Sequence, residues 1–339
     1  MVDRLMGRLR ILRALRWAHR FQSRLALYFL GNGSSFGYWI FNGKRHTRSK
    51  GEPKPGYKFD LAGVITFMLS IIALQILLSK GSDFGWTSLL SIGLFVGFLI
   101  FGFIFYRIEN GNFNAFVDFN LFKNSTYTGA TISNFLLNAT AGILIVSLSL
   151  VQLGAGLSSQ ESGLLTLGYA IAIVVFIRVG EKLLQKFGAR KPMIWGCLIV
   201  GLSIILLMQT QLMTDTYKIL AVIAYTLFGL GLAFYATPST DAALSNLPED
   251  QAGAGSGIYK MASSLGVALG VAISAAVFTA LSGNDGPIEW MDGLISFAGR
   301  QDNLAVRQGA LVALGLNLVM VILAIISIVM TVPKHQKTN

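Results

Sequence analysis

Cysteine occurs once in the 339 residues, at Cys197 inside an apolar run, so neither a disulfide framework nor a paired-cysteine metal spacing is available. Histidine is nearly as scarce. His19, His46 and His335 lie near the chain ends and outside every apolar run, which leaves little material for a zinc site or a Ser-His-Asp triad. Charge is the third shortage: 13% of residues are Asp, Glu, Lys or Arg, against about 25% in a water-soluble domain. This composition argues against a soluble enzyme, and no catalytic, metal or cofactor site is expected.

The formal charge of +11 invites a nucleic-acid reading until the charges are placed. Residues 1–58 hold thirteen Lys/Arg against Asp3 and Glu52, whereas the remainder holds fourteen basic and fourteen acidic side chains. A basic head joined to a neutral, oily body is not a nucleic-acid-binding domain, and no nucleic-acid partner is expected.

What the chain does have is apolar length. A bilayer core of roughly 30 Å needs about 20 predominantly apolar residues per helix. Eight stretches meet that: 60–79, 86–106, 128–151, 161–180, 192–211, 217–237, 253–281 and 305–332. None shows the strict alternation of a membrane barrel strand. The reading is an all-α, multi-pass membrane protein with eight transmembrane helices and the lipid bilayer as its first partner. Lys/Arg bias sets its orientation. With the first flank inside, fifteen basic residues fall on the cytoplasmic side and four on the other. Both termini are therefore expected in the cytoplasm of a cell-membrane protein. Residues 1–45 fit less well: Arg13, Arg16, Arg20 and Arg24 recur at helical spacing, as in a basic amphipathic helix on anionic lipid.

Two segments carry a signature. Residues 178–193 read RVGEKLLQKFGARKPM, a short amphipathic connector with Pro192 able to start the next helix. Residues 237–271 read TPSTDAALSNLPEDQAGAGSGIYKMASSLGVALGV. Together they resemble the major facilitator superfamily, in particular its fourteen-helix drug:proton antiporter branch. Gly188, Arg190 and Lys191 match that family's cytoplasmic loop motif, while Gln185 and Lys186 stand where Asp and Arg are usual. The second segment is similar to the branch's Pro-x-x-x-Asp…Pro…Gly-x-Gly-Ser-Gly pattern, with Ser263 where Arg is common. Phe59-Asp60 and the run Asp118-Phe-Asn-Leu-Phe-Lys123 are also typical of the branch.

The resemblance implies a proton-coupled efflux transporter of amphipathic drugs such as quinolones. It covers residues 47 to the C-terminus and implies three parts. Residues 1–46 are an Arg-rich leader, expected to be foreign to the family. Residues 47–110 are a cytoplasmic flank with two central helices, and residues 111–339 are the C-terminal six-helix half. The first six helices of such a fold have no counterpart here. Two readings follow: a C-terminal portion that binds drug and proton once completed by an N-terminal half, or a fragment that is inactive or dependent on a partner. The third to eighth spans contain no mid-membrane Asp or Glu, whereas a proton-driven exchanger needs a titratable group at depth.

Candidate site residues come from periodicity in the spans. Tyr127, Thr131, Asn134, Asn138 and Gly142 form one polar stripe down the third span, which must face protein or a water-filled cavity rather than lipid. Interhelical hydrogen bonding and a substrate cavity both satisfy it, with Asn134 and Asn138 as the cavity candidates. In the sixth span Tyr225, Phe228 and Tyr235 can stack on a planar or cationic drug or pack between helices. Gly253/Gly257 and Gly266/Gly270 are two small-xxx-small pairs suited to close helix packing. Lys260 is expected to reach the membrane surface or pair with Asp241 as an inner gate. Arg178, Lys182, Lys186, Gly188, Arg190 and Lys191 form the conformational loop, or simply fix topology.

Overall fold

The computed structural model describes residues 60–85, 87–110, 119–245, 247–248, 251–282 and 303–334. The Arg-rich leader and the boundaries placed at residues 46 and 110 lie outside or at the edge of those residues. Among the described residues all regular structure is helical: α1 (Leu61–Phe84), α2 (Leu89–Glu109), a 3-10 turn (Phe119–Lys123), α3 (Ser125–Ala139), α4 (Gly142–Ala155), α5 (Ser159–Leu165), α6 (Leu167–Phe187), α7 (Arg190–Leu207), α8 (Thr214–Leu244), α9 (Ala252–Ser282) and α10 (Leu304–Thr331). With α3–α4 and α5–α6 each counted as one span, seven helices among the described residues are long and apolar enough to cross a membrane, and α1 adds the shorter apolar stretch Leu61–Leu77. The eight expected spans each fall on one of these units.

Polar residues start and stop the helices where orphan backbone groups need partners. Asp60 accepts from Gly63 N at 2.8 Å and opens α1. Asn124 accepts from Thr126 N and Tyr127 N at the head of α3. Ser158 and Glu161 form a reciprocal capping box on α5.

Three spans differ from their expected form. The third is not one continuous helix: it parts at Thr140–Ala141. There Thr140 N bonds Leu137 O and Ala141 N bonds Asn138 O, so three-residue bonds replace the four-residue ladder. The Thr140 hydroxyl bonds Leu137 O at 2.6 Å and reinforces the tightening. The fourth span breaks in the same way at Thr166, whose amide and hydroxyl both reach Gly163 O. The sixth runs past residue 237 through Pro238 to Leu244, so Asp241 sits in the last turn of α8.

Packing follows a reciprocal exchange. Spans three to five are α3–α4, α5–α6 and α7; spans six to eight are α8, α9 and α10. The first member of each triplet packs mainly on the later members of the other: α8 lies against α6 and α7, and α3 lies against α9 and α10. Contacts of α3 with α8 and of α7 with α10 join the two clusters. The α1–α2 pair makes a hairpin that touches α9.

Glycine permits the closest of these approaches. A Cβ on Gly270 would overlap the carbonyl oxygen of Ala139, and one on Gly266 that of Phe135, so α9 and α3 meet backbone to backbone. The companion pair Gly253/Gly257 does no such packing. Both glycines are exposed, with no atom near enough to meet an added Cβ, and that expectation is corrected.

Candidate functional site

The polar stripe of α3 meets side chains from α8 and α9 in the middle of the six-span body. Asn134, 4% exposed, donates from Nδ2 to Tyr259 O at 3.1 Å and to Ser263 Oγ at 2.6 Å. Asn138, half-buried and one turn further on, donates to Asn134 O at 2.8 Å and Asn134 Oδ1 at 2.9 Å. On the adjacent face Ser133 Oγ lies 2.7 Å from the Tyr235 hydroxyl. The Tyr259 hydroxyl donates to Ser239 Oγ at 2.8 Å, and nearer the start of α3 the Tyr127 hydroxyl donates to Gly255 O at 2.9 Å. Three helices are thus tied by hydroxyl and amide groups that lipid would leave unsolvated.

The remaining aromatic candidates of α8 are also enclosed. The Tyr225 hydroxyl is 2.6 Å from Ser147 Oγ on α4. Phe228, 1% exposed, stacks on Tyr169 of α6 with ring centroids 5.5 Å apart and an interplanar angle of 26°. The structure therefore brings Asn134, Asn138 and Tyr235 to one interior junction. Tyr225 and Phe228 belong to separate contacts, on α4 and α6.

Sequence reasoning passed over the small hydroxyls Ser133, Ser147 and Ser239 that complete these contacts, and named Ser263 only as a departure from the motif. It also passed over Asn317, wholly buried on α10, whose Nδ2 donates to Ser274 Oγ at 2.9 Å and Ala313 O at 2.8 Å. Asn317 carries the same signal as Asn134, an amide in a long apolar run. Serine carries almost none, because it is equally common as a small packing residue in membrane helices. Arg307 is a further omission. Its Nη1 donates to Thr210 O and Leu212 O at 2.7 and 2.9 Å, closing the carbonyl end of α7 onto α10.

The loop residues occupy the opposite end of α7. Gly188 terminates α6 with φ 71°, a left-handed conformation that favours glycine. Arg190 donates from Nη2 to Val329 O at 2.7 Å and fixes the turn to the end of α10. Lys186 and Lys191 lie 5.2 and 5.8 Å from the centroid of the Phe187 ring, while Arg178 and Lys182 are exposed on α6. Asp241 accepts from the Ser245 hydroxyl at 2.8 Å, Lys260 is exposed on α9, and among the described residues no ion pair joins the two. No group of three His, Cys, Asp or Glu side chains suited to a metal occurs among the described residues.

The profile of the Major Facilitator Superfamily matches residues 130–338. The chain belongs to the major facilitator superfamily. This facilitator is a multi-pass membrane protein, and it is similar to curated relatives. It is 42% identical over 282 residues to the quinolone resistance protein NorB of Staphylococcus aureus strain MRSA252, and 44% identical over 284 residues to NorB of strain COL. Each alignment covers 83% of this facilitator and 57% of the relative. The chain thus spans little more than half the length of the relatives it matches.

Proposed function

We propose that this facilitator contributes eight spans to a proton-coupled efflux transporter of amphipathic drugs such as quinolones, working in the cell membrane with both termini in the cytoplasm. The observation that carries the reading is the 42% identity over 282 residues to a protein named for quinolone resistance. Transporters of this kind rock two helical sets around a central site, and the matched length is 57% of the relative. On this reading transport depends on a further helical half, which also supplies the titratable group that spans three to eight lack.

The geometry supports separate roles for the candidate residues. Asn134, Tyr225, Phe228 and Tyr235 hold helices together. Asn138 is the half-buried amide beside the α3–α4 break, and we assign it to substrate contact. Arg190, through its bond to Val329 O, positions the conformational loop.

The test expresses the chain in efflux-deficient cells, alone and together with the remaining helices of NorB, and follows loss of preloaded fluorescent quinolone. Efflux is expected only from the combination and is expected to collapse with an uncoupler. Uncoupler-sensitive efflux by the chain alone overturns the dependence on a second half. Absence of efflux from both, with both polypeptides in the membrane, overturns the transport reading.

A further inference from the structure

The turn between α6 and α7 presents two exposed cations, Lys186 and Lys191. Gly188, at φ 71°, reverses the chain tightly enough to bring Lys186 and Lys191 to the same aromatic ring. Arg190, between them, is engaged by Val329 O. Among the described residues neither ammonium has a carboxylate partner. The neighbouring charges on α6 are Arg178, Glu181 and Lys182, all exposed, so the turn carries five basic groups against one acid.

Beneath the cations the surface becomes aromatic and then apolar. The Phe187 ring meets Trp195 edge-on at 5.2 Å between centroids. Trp195 is 37% exposed and heads a stripe on α7 formed by Leu198, Leu202 and Ile205, each about half exposed. These four residues recur at steps of three and four, so they share one helix face. Tryptophan at a membrane span's end sits at headgroup level, and basic clusters beside a span favour anionic lipid.

We propose that this turn is a binding site for an anionic phospholipid. Lys186 and Lys191 flank the headgroup phosphate above Phe187, and an acyl chain lies along Trp195, Leu198, Leu202 and Ile205. The occupant is a lipid and not a free anion, because the apolar stripe continues directly from the cations and a soluble anion would leave it unused. The inference is independent of the efflux reading and of which membrane face carries the turn.

Quenching of Trp195 tests it. The full chain, with Trp17, Trp39, Trp86 and Trp290 replaced by Phe, is reconstituted in phosphatidylcholine with brominated phosphatidylglycerol or brominated phosphatidylcholine at equal mole fraction. A basic group near an anionic surface is worth about fivefold in binding, so a preference for phosphatidylglycerol of about fivefold or more is expected. It should fall towards unity in Lys186→Gln/Lys191→Gln, shrink in 0.5 M salt through screening, and persist in Lys186→Arg/Lys191→Arg. Equal quenching by the two lipids overturns the proposal. So does a preference that survives the glutamine pair, disappears in the arginine pair, or is abolished by millimolar inorganic phosphate.

Discussion

The Ser133–Tyr235 pair shows how a single hydroxyl acts in a lipid-embedded bundle. Ser133 Oγ donates to Ala130 O at 3.0 Å. With its one proton on Ala130 O, we assign the Tyr235 hydroxyl as the donor across the 2.7 Å contact. The same logic orders the Ser147–Tyr225 pair, where the serine donates to Ile143 O. Removing the two partners should therefore have unequal effects. Tyr235→Phe deletes a donor and leaves Ser133 bonded to its own helix, a loss of about 0.6 kcal/mol on the scale of interhelical bonds in membranes. Ser133→Ala removes that acceptor and leaves the buried phenol hydroxyl with Ser239 as its remaining polar neighbour, a cost of up to about 1–3 kcal/mol. Adding Tyr235→Phe to Ser133→Ala should recover stability, because the phenol hydroxyl that lost its acceptor is then removed as well. Unfolding of the purified chain by denaturing detergent measures all three, and a double variant less stable than Ser133→Ala rejects this assignment of donor and acceptor.

Helices carry information that their own residues do not fully disclose. Both glycine pairs of α9 look alike in sequence, yet Gly266 and Gly270 sit against backbone carbonyls of α3 while Gly253 and Gly257 face open space. Gly270→Ala must force α3 and α9 apart, and overpacking of this kind costs about 1–3 kcal/mol. Gly257→Ala should be neutral or slightly stabilising, since alanine is the better helix former by about 1 kcal/mol. Comparing the two thermal midpoints checks the contrast, and equal shifts would remove the close approach as its cause. Length and apolar content made the spans legible, because a bilayer demands about 20 such residues whatever the fold. The breaks at Thr140 and Thr166 were not legible: threonine is ordinary inside membrane helices, and only the backbone shows its hydroxyl turned onto the carbonyl three residues earlier. The stripe through Asn134 and Asn138 was visible as a helical face. Its partners Tyr259 and Ser263, 125 and 129 residues from Asn134, were not.

Across the whole molecule, the reciprocal exchange of α3 and α8 between the two clusters depends on contacts far apart in sequence, so local periodicity is silent about it. Topology is different, because it follows from where basic residues fall. The turn at 178–191 carries Arg178, Lys182, Lys186, Arg190 and Lys191, whereas the connection at 156–160 carries no charge. Basic residues are retained on the cytoplasmic side of short loops, so these two ends of the α5–α6 span should lie on opposite faces. Gln160 and Gln185 are exposed at those ends, and Cys197 is fully buried and can be replaced by Ala to give a background without cysteine. In intact cells a membrane-impermeant maleimide is expected to label Gln160→Cys and spare Gln185→Cys, which should react only after permeabilisation. The reverse pattern would invert the whole bundle. Labelling of both from outside would mean that α5–α6 does not cross, and the exchange of triplets could not then be built around a membrane at all.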